Sequence, residues 1–390
     1  EDTWQQACRS LGSLPPSRGM DRPSVAGHYP VVKADILRAG RQEWHPRSTM
    51  RIASEWQRKR IGVLTGGLSA AREASLQTGE AIYQALIDRG YRATRIYVDR
   101  DVDIALRQSG VEVAFLALQG RHGEDGCLQG LLEILGIPYT GSGVTASALA
   151  MNKVKSREIF RLRNLPTPPY YVLDQSRLDH LLEDHGAFGF PVVVKPCSMG
   201  GSIGVSVARN PGELLQACEQ ALLFDTRALV ERYIEGMEVQ VAVLDGQPIG
   251  AAEVVPGDGI YSFRDKNGHG RSELFLPARL STNRLHGILT QARKAHEALG
   301  CDGITLVDML LSETGNEFLL EVNSLPSYSS TSVLPKIAQA AGLDFGDLVE
   351  AVLETASLKA GGEPIRRAHE QHSYSYMEDE ALVAGAAGPH

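Results

Sequence analysis

The sequence predicts an α/β protein of three domains, the first built on a parallel sheet. The main observation is a regular alternation of short apolar runs with segments of helical spacing in the first third of the chain. Such a rhythm is typical of parallel strands joined by crossover helices. A second observation is that strands and helices continue in two more groups, the first of which follows Pro166 and Pro168.

The first group opens with the apolar run RIGVLTGG, which ends in two glycines. We expect Ser75 to cap the following helix and Gly90 to end it, because serine favours a helix start and glycine a helix stop. The predicted strands are 60–67, 92–98 and 111–118, and the predicted helices are 75–91 and 126–136.

The later groups contain the remaining regular elements, including the hairpin at 306–323. In the second group the predicted strands are 170–173, 191–196, 204–208 and 228–234, with helices near 176–184 and 211–223. In the third group the strands 239–245 and 248–255 precede that hairpin, with helices near 282–299 and 334–356.

Domain boundaries follow from these groups and from the composition of the chain ends. Residues 1–57 lack sustained periodicity and are rich in Arg, Pro, Ser and Gly, which predicts a flexible extension. The expected division is an N-terminal α/β domain at 58–150, a central domain at 151–237, a C-terminal domain at 238–358 and a flexible tail at 359–390.

The composition limits the class of protein. With 43% hydrophobic and 22% charged residues over 390 positions, the chain is expected to be a soluble, cytoplasmic globular protein. A net charge of −8 does not favour binding to nucleic acid or to anionic membranes, and no apolar run has the roughly 20 residues of a membrane span. The five cysteines include no C-x-x-C pair, so neither a zinc site nor a disulfide framework is indicated.

The hairpin LVDMLLSETGNEFLLEVN carries three oxygen donors within apolar strands. A turn centred between Thr314 and Gly315 places Asp308 opposite Glu321, and Asn323 then shares their face. Converging carboxylates repel each other in a dry site unless a cation neutralises them, and oxygen donors suit Mg²⁺ or Mn²⁺. The spacing alone also permits an edge hairpin with solvated acids.

A glycine-rich loop follows the buried strand PVVVKP, at whose end lies Lys195. Gly200, Gly201 and Gly204 alternate with serines that include Ser202. Glycines allow backbone amides to approach a phosphate closely, and a lysine adds positive charge. The spacing matches neither G-x-x-x-x-G-K-[ST] nor G-x-G-x-x-G, and an ordinary glycine turn remains the alternative for the loop taken alone.

Several long segments, in order, resemble the D-alanine–D-alanine ligases of the ATP-grasp family. They are GGLSAAREASLQTG (66–79), GRHGEDGCLQGLLEILGIPYTGSGVTASALAMNK (120–153), VVVKPCSMGGSIGV (192–205), LVERYIEGME (229–238) and LLEVNSLPSYSSTSVLP (319–335). The resemblance covers about 60 to 357 and implies a three-domain ATP-grasp fold with ATP between the central and C-terminal domains.

The resemblance also implies roles for individual residues. Lys153 and Lys195 would contact ATP phosphates together with the Ser202 loop, Glu231 the adenine and Glu238 the ribose. Lys266 falls where the family has a phosphate-contacting lysine on a closing lid, so Lys266 and Lys195 are the expected catalytic residues. Asp308, Glu321 and Asn323 would hold two Mg²⁺ ions, and the family suggests a homodimer acting on small molecules.

The expected amino-acid pocket departs from the family pattern. Ala71 replaces a glutamate that orients the first amino acid, while Gly201 and Asn267 replace the serine and lid tyrosine that join this glutamate in a triad. Leu306 replaces an arginine that stabilises the oxyanion. Gln119 replaces a histidine and Ser327 a glycine; Ser332 is a further candidate for the pocket lining.

These departures predict an ADP-forming carboxylate–amine ligase that retains the ATP chemistry and acts on another acid or amine in a specialised biosynthetic pathway. Three alternatives stay open: a genuine D-alanine–D-alanine ligase of cell-wall synthesis, a ligase that joins amino acids to mycosporines as imines, and an ATP-binding regulator without catalysis. Arg72, Arg264 or His269 could compensate for a missing group. Glu124 and Asp125 are expected to order their loop or cap the next helix rather than act as acid and base.

Overall fold

The computed structural model describes residues 56–69, 71–257, 266 and 270–360. The predicted N-terminal extension and C-terminal tail therefore lie almost entirely outside the described residues, as do Asn267, Arg264 and His269. The domain boundaries stay a prediction. In the part of the chain that is described, no helix is long and apolar enough to cross a membrane.

A parallel sheet forms the N-terminal part, as predicted. Its strands are β1 (Arg60–Gly66), β2 (Arg92–Val98) and β3 (Val113–Leu116), in the order β2-β1-β3. Helix α1 (Arg72–Asp88) connects β1 to β2, and α2 (Val102–Ser109) connects β2 to β3. Strand β1 is almost entirely buried, which explains its continuous apolar sequence.

The predicted start of α1 at Ser75 is wrong. The helix begins at Arg72, and Ser75 is fully buried within it. A turn closed by the Arg72 N–H donating to the Ser69 carbonyl starts the helix one turn earlier. The Ser75 hydroxyl instead accepts a hydrogen bond from the Gln119 N–H at 2.8 Å, which ties the helix to the end of β3.

Three helices follow the first sheet: α3 (Cys127–Leu135), α4 (Val144–Met151) and α5 (Lys153–Leu162). The Asn152 side chain caps α5 by accepting from the Lys155 N–H. Lys153 therefore occupies the first turn of α5. Neither α4 nor α5 was predicted, although Asn152, which lies between them, is a residue that favours a helix start.

The second sheet is antiparallel, in the order β4-β7-β5-β6, and one face is covered by a helix of twelve residues. Lys195 lies on β5 and pairs in register with Leu229 on β7, so that the glycine loop leaves the sheet beside the start of β7. The elements are β4 (Tyr170–Asp174), α6 (Leu181–His185), β5 (Val192–Pro196), β6 (Ser206–Ala208), α7 (Pro211–Leu222) and β7 (Arg227–Arg232).

The third sheet is also antiparallel, in the order β10-β9-β8-β11-β12. The predicted hairpin is confirmed, because β11 and β12 pair with Asp308 opposite Glu321. The predicted turn centre is wrong by half a residue, because Leu311 pairs with Glu317 and the turn is centred on Thr314. A register shift just after Asp308 restores the predicted pair. The elements are β8 (Gly236–Leu244), β9 (Gln247–Val255), β10 (Glu273–Phe275), α8 (Thr282–Leu299), β11 (Ile304–Ser312), β12 (Glu317–Asn323), α9 (Val333–Ala340) and α10 (Phe345–Leu353).

The single helix predicted near 334–356 is wrong, because two helices occupy this region. Gly342 has φ +92°, a conformation that ends α9, and Asp344 forms a capping box with Asp347 that starts α10. Both helices pack in one apolar core with β1, β3 and β8. Leu306 on β11 belongs to this core, so the first and third sheets meet close to that residue.

Candidate active site

A cleft brings together the glycine loop, the end of β3, the start of α1 and the β11–β12 hairpin. Its empty space, counted together with the part open to solvent, is about 870 Å³. The lining has two chemically different parts, a charged side with Lys266, Asp308 and Asn323 and a neutral side with Ala71 and Leu306, which meet on the hairpin where Leu306 pairs with Asn323. Residues that are distant in sequence thus form one cavity with a charged side and a neutral side.

Asp308 is held rigidly in the middle of the third sheet. It is 4% exposed, and Gln240 on β8 donates a hydrogen bond to its Oδ1 at 2.8 Å. Glu321 faces it from β12, and the Oδ1 of Asn323 accepts from the Leu325 N–H at 2.9 Å. The three predicted metal ligands therefore lie on the two paired strands β11 and β12.

Two lysines neutralise these carboxylates. The Lys266 Nζ lies 3.0 Å from Asp308 Oδ2 and 3.4 Å from Glu321 Oε1. The Lys153 Nζ lies 2.7 Å from Glu321 Oε2 and also donates to the Met199 carbonyl at 2.7 Å. Lys153 thus links the hairpin to the glycine loop.

The two carboxyl groups titrate differently. Burial raises the pKa of Asp308 despite the attraction of Lys266, and the charge of Glu321 raises it further. Burial also acts on Glu321, but Lys153 and Lys266 outweigh it and lower its pKa below the usual range. Glu321 is therefore the more readily ionised of the pair.

The predicted metal ligands on the hairpin offer only oxygen donors. Within the described residues, no group of three or more His, Cys, Asp or Glu side chains could hold a metal. Two carboxylates and an amide nevertheless fit Mg²⁺, which usually binds one or two carboxylates and takes its other ligands from phosphates and water. A cationic Nζ lying between Asp308 and Glu321 indicates that this position favours positive charge.

A second buried charge cluster lies at the central sheet. The Lys195 Nζ forms an ion pair with Glu231 Oε1, and Arg157 Nη2 lies 2.5 Å from Glu231 Oε2. Glu231 is 2% exposed; burial raises its pKa, but Arg157 and Lys195 outweigh this and keep it lowered. The carboxylate is therefore ionised, as a buried charge with two cationic partners should be.

Glu238 on β8 lies near the same charges. Burial, followed by the negative charge of Asp308, raises the pKa of Glu238 to about 7. Its strand position is directly opposite Leu310 of β11, two residues beyond Asp308. The carboxyl groups of Glu238, Asp308 and Glu321 are thus crowded together.

The glycine loop has the backbone expected for close approach to a ligand. Gly201 has φ +65° and Gly204 φ +71°, and Ser202 adopts φ +61°, which non-glycine residues rarely do. Gly200 and Gly201 line the cleft, whereas Ser202 is absent from its lining among the described residues.

The predicted substrate pocket is assembled, except for Asn267, which lies outside the described residues. Its side chains are neutral, and several polar ones are already bonded: Gln119 Nε2 donates to the Leu325 carbonyl at 2.9 Å, and Ser327 Oγ lies 3.0 Å from Thr78 Oγ1. Of the residues predicted for the substrate pocket, those that line the cleft are Ala71, Gln119, Gly201, Leu306, Ser327 and Ser332.

Arg72 does not compensate for the neutral pocket. Its Nη1 donates to the Gly67 carbonyl at 2.9 Å, and the residue is absent from the cleft lining that the structure describes. Arg72 supports the turn after β1 instead. Leu306 is 8% exposed and offers only an apolar surface.

Glu124 and Asp125 have separate roles. Asp125 orders the loop by accepting from the N–H groups of His122 and Cys127, as predicted. Glu124 also accepts a loop hydrogen bond, from the Gly120 N–H, but it lines the cleft beside Gly200. Burial raises the pKa of Glu124 to about 7, although the Gly120 hydrogen bond opposes this.

Sequence reasoning missed Gln240 and Arg157. Gln240 is a polar residue at an interior position of the apolar run VQVAVL, and this was a usable signal. Arg157, fully buried beside Glu231, gave no such signal because arginines are common on helices.

Comparison with known proteins identifies the class. The family described as the D-ala D-ala ligase C-terminus matches residues 159–354, and the corresponding N-terminus family matches 102–142. A D-alanine–D-alanine ligase of Trichlorobacter lovleyi is 48% identical over 308 residues, covering 79% of this chain and 98% of that protein. A second, from Geobacter sulfurreducens, is 47% identical over 311 residues, covering 79% and 98%.

Solved structures agree. The D-alanine–D-alanine ligase of Bacillus anthracis complexed with ATP is 30% identical with a TM-score of 0.65, over 76% of this chain and 96% of the other. The VanG D-Ala:D-Ser ligase of Enterococcus faecalis is 26% identical with a TM-score of 0.67, over 76% and 98%. The fold and the cleft are therefore those of an ADP-forming ATP-grasp ligase. The chain belongs to the D-alanine–D-alanine ligase family.

Proposed function

We propose that the protein uses Mg²⁺ and ATP to activate a small carboxylic acid that lacks an α-ammonium group, and then joins it to an amine. The observation that carries this proposal is the contrast within the cleft: Asp308, Glu321 and Lys266 form a charged side, whereas Ala71 and Leu306 form a neutral one. Burying a substrate ammonium against Ala71 would leave its charge without a partner there, which is costly.

The charged side accounts for the phosphoryl chemistry. Asp308, Glu321 and Asn323 would hold Mg²⁺, which would supply positive charge to neutralise the phosphates of ATP. Lys153, Lys195 and Lys266 supply positive charge toward the same phosphates. The Ser202 loop would cover them, while Glu231 and Glu238 would contact the adenine and ribose.

The neutral side would receive the acid. Leu306 and Ala71 offer apolar contacts, and the hydroxyls of Ser327 and Ser332 could orient polar atoms. The acid carboxylate attacks the γ-phosphorus, the bond from phosphorus to the bridging oxygen breaks, and ADP leaves. The amine, after its ammonium has lost a proton, then attacks the acyl carbon, and the C–N bond forms. The bond from carbon to the phosphate oxygen breaks, phosphate leaves and the nitrogen loses a further proton, as in the family. The cleft contributes orientation and exclusion of water.

A second candidate is a genuine D-alanine–D-alanine ligase, favoured by 48% identity to a curated ligase over 98% of its length. In that case other residues must hold the D-alanine ammonium and stabilise the oxyanion. A homodimer in the cytoplasm is part of both proposals, and is suggested by the family alone.

The experiment is a substrate panel with Mg²⁺-ATP. The acids are propionate, D-lactate, L-alanine, D-alanine and a mycosporine acceptor; the amines are glycine, L-serine and D-alanine, with hydroxylamine as a trap for activated acid. ADP release gives the rate, and mass spectrometry identifies the product. We expect an acid without an α-ammonium to be activated faster than D-alanine.

The outcomes separate the candidates. D-Alanyl-D-alanine as the fastest product would contradict the proposal and establish the second candidate. An imine formed only with the mycosporine acceptor would identify the mycosporine ligase. ATP binding without ADP from any pair would indicate a regulator.

A further inference from the structure

We propose that the Glu124 carboxylate binds the ammonium of the amine substrate. This inference rests on the proposed function, and it adds a residue that selects the attacking substrate. Among the described residues that line the cleft, Glu124 and Asp308 are the carboxylates, and Asp308 is assigned to the metal side. Glu124 is therefore the remaining negative group for a cationic substrate.

The position of Glu124 is fixed by its loop. The residue is 7% exposed, and the Gly120 N–H donates to its Oε2. No other described residue donates a hydrogen bond to its carboxylate, so Oε1 is available for a ligand. One oxygen thus anchors the side chain and the other can face a substrate.

Gly200 brings the carboxylate to the phosphate side of the cleft. A Cβ atom added at Gly200 would lie 3.2 Å from Glu124 Oε2, closer than nearly all such contacts, so glycine permits this approach. Gly200 belongs to the glycine loop. Lys153 Nζ donates a hydrogen bond to the carbonyl of Met199, the residue before Gly200. An amine held by Glu124 would therefore lie beside the site where the activated acid forms.

The charges around Glu124 are consistent with a cationic guest. The Glu321 carboxylate adds negative potential at Glu124, and Lys153 and Lys266 oppose it. Both lysines have their own carboxylate partners at the hairpin. In contrast, the described lining offers no negative group at Ala71 or Leu306.

The test compares two nucleophiles with the acid that is most active in the panel. Near neutral pH hydroxylamine is mostly uncharged, whereas glycine presents an ammonium. With Glu124→Gln we expect kcat/KM for glycine, or for the panel amine with the highest rate, to fall about 10- to 100-fold, mainly through KM. Hydroxamate formation should stay within about twofold of the wild type.

Two further variants control for the fold. Glu124→Asp keeps the charge and should recover part of the amine reaction. Asp125→Asn weakens the bonds to His122 and Cys127 and leaves Glu124 in place, so it should leave the KM for the amine unchanged. If Asp125→Asn reproduces the effect of Glu124→Gln, loop order is the cause and the inference is overturned.

The remaining outcomes are also distinct. Unchanged amine kinetics in Glu124→Gln, with hydroxamate still formed, overturns the role of Glu124 and leaves the proposed function intact. If Glu124→Gln loses hydroxamate formation with L-alanine and D-alanine but keeps it with propionate, Glu124 binds the ammonium of the acid substrate. This result also overturns its role in binding the amine. No ADP from the wild type with any pair refutes the proposed function, and the inference falls with it.

Discussion

The two sides of the cleft differ in how their polar groups are partnered. On the nucleotide side Lys153, Lys266, Asp308 and Glu321 form a connected set of ion pairs. On the substrate side the polar groups of Gln119 and Ser327 bond to neighbouring protein groups, and Leu306 joins the apolar core. The first side stabilises charged groups through ion pairs, whereas the second presents neutral groups that are fixed by hydrogen bonds and apolar packing.

This difference suggests that the two functions can change independently. The charged side is fixed by strand register in the third sheet, where a change at Glu321 removes the carboxylate that pairs with the buried Lys153. The neutral side combines the start of α1 at Ala71, the glycine loop at Gly201 and Leu306 on β11. We expect substitution at Ala71, away from the hairpin, to alter substrate recognition without disturbing the phosphoryl-transfer groups.

The largest effect is expected from Asp308→Asn. The change removes one charge facing Lys266 and one proposed metal ligand, so kcat for ADP release should fall at least about 100-fold. The control is Glu317→Gln on the same strand pair, where Gln291 is the partner at 2.6 Å and the residue lies outside the described cleft lining. A wild-type kcat in Asp308→Asn would show that the hairpin does not hold the metal.

An intermediate effect is expected when charges are restored to the neutral side. The double variant Ala71→Glu, Leu306→Arg should increase ADP release with D-alanine as the acid by about 10-fold, because it returns an anchor for the ammonium and an oxyanion donor. Gly201 is left unchanged, since a serine at φ +65° would be strained.

The matched control places the same new charge elsewhere in the cleft. The double variant Ala74→Glu, Leu306→Arg keeps the arginine and moves the new carboxylate to α1, one turn beyond Ala71. If this control increases the D-alanine reaction as much as Ala71→Glu, Leu306→Arg does, general negative charge is the cause rather than a specific anchor. A folded double variant with no gain would mean that the neutral pocket is not what limits D-alanine.

The contrast also explains how much the sequence could predict. Asp308 opposite Glu321 followed from alternation and one turn, because both residues lie in a single hairpin. The lining around Leu306 and Ala71 was predicted by family resemblance. By contrast, the Gln240–Asp308 hydrogen bond joins residues 68 apart, and the approach of Glu124 to Gly200 joins two loops. Such tertiary contacts leave no local periodicity to detect.

The smallest effect concerns the pH dependence of stability. It tests whether ionised carboxylates on the charged side destabilise the fold when no ligand is bound. The pKa of Glu238 is raised to about 7, so between its ordinary value and pH 7 the folded protein binds more protons than the unfolded chain. Stability should therefore fall as the pH rises through this window. Without metal we expect the melting temperature to decrease by roughly 2–4 °C between pH 5 and pH 8 from this group.

Glu238→Gln should flatten this dependence, whereas Glu235→Gln, at an exposed neighbouring position, should not. Differential scanning fluorimetry in EDTA and in Mg²⁺ gives the measurement. Because a cation neutralises crowded carboxylates, Mg²⁺ should raise the melting temperature more at pH 8 than at pH 5. If the melting temperature changes with pH equally in the wild type, Glu238→Gln and Glu235→Gln, ionisation of Glu238 does not destabilise the fold. The lysines then neutralise the carboxylates of the charged side without a metal.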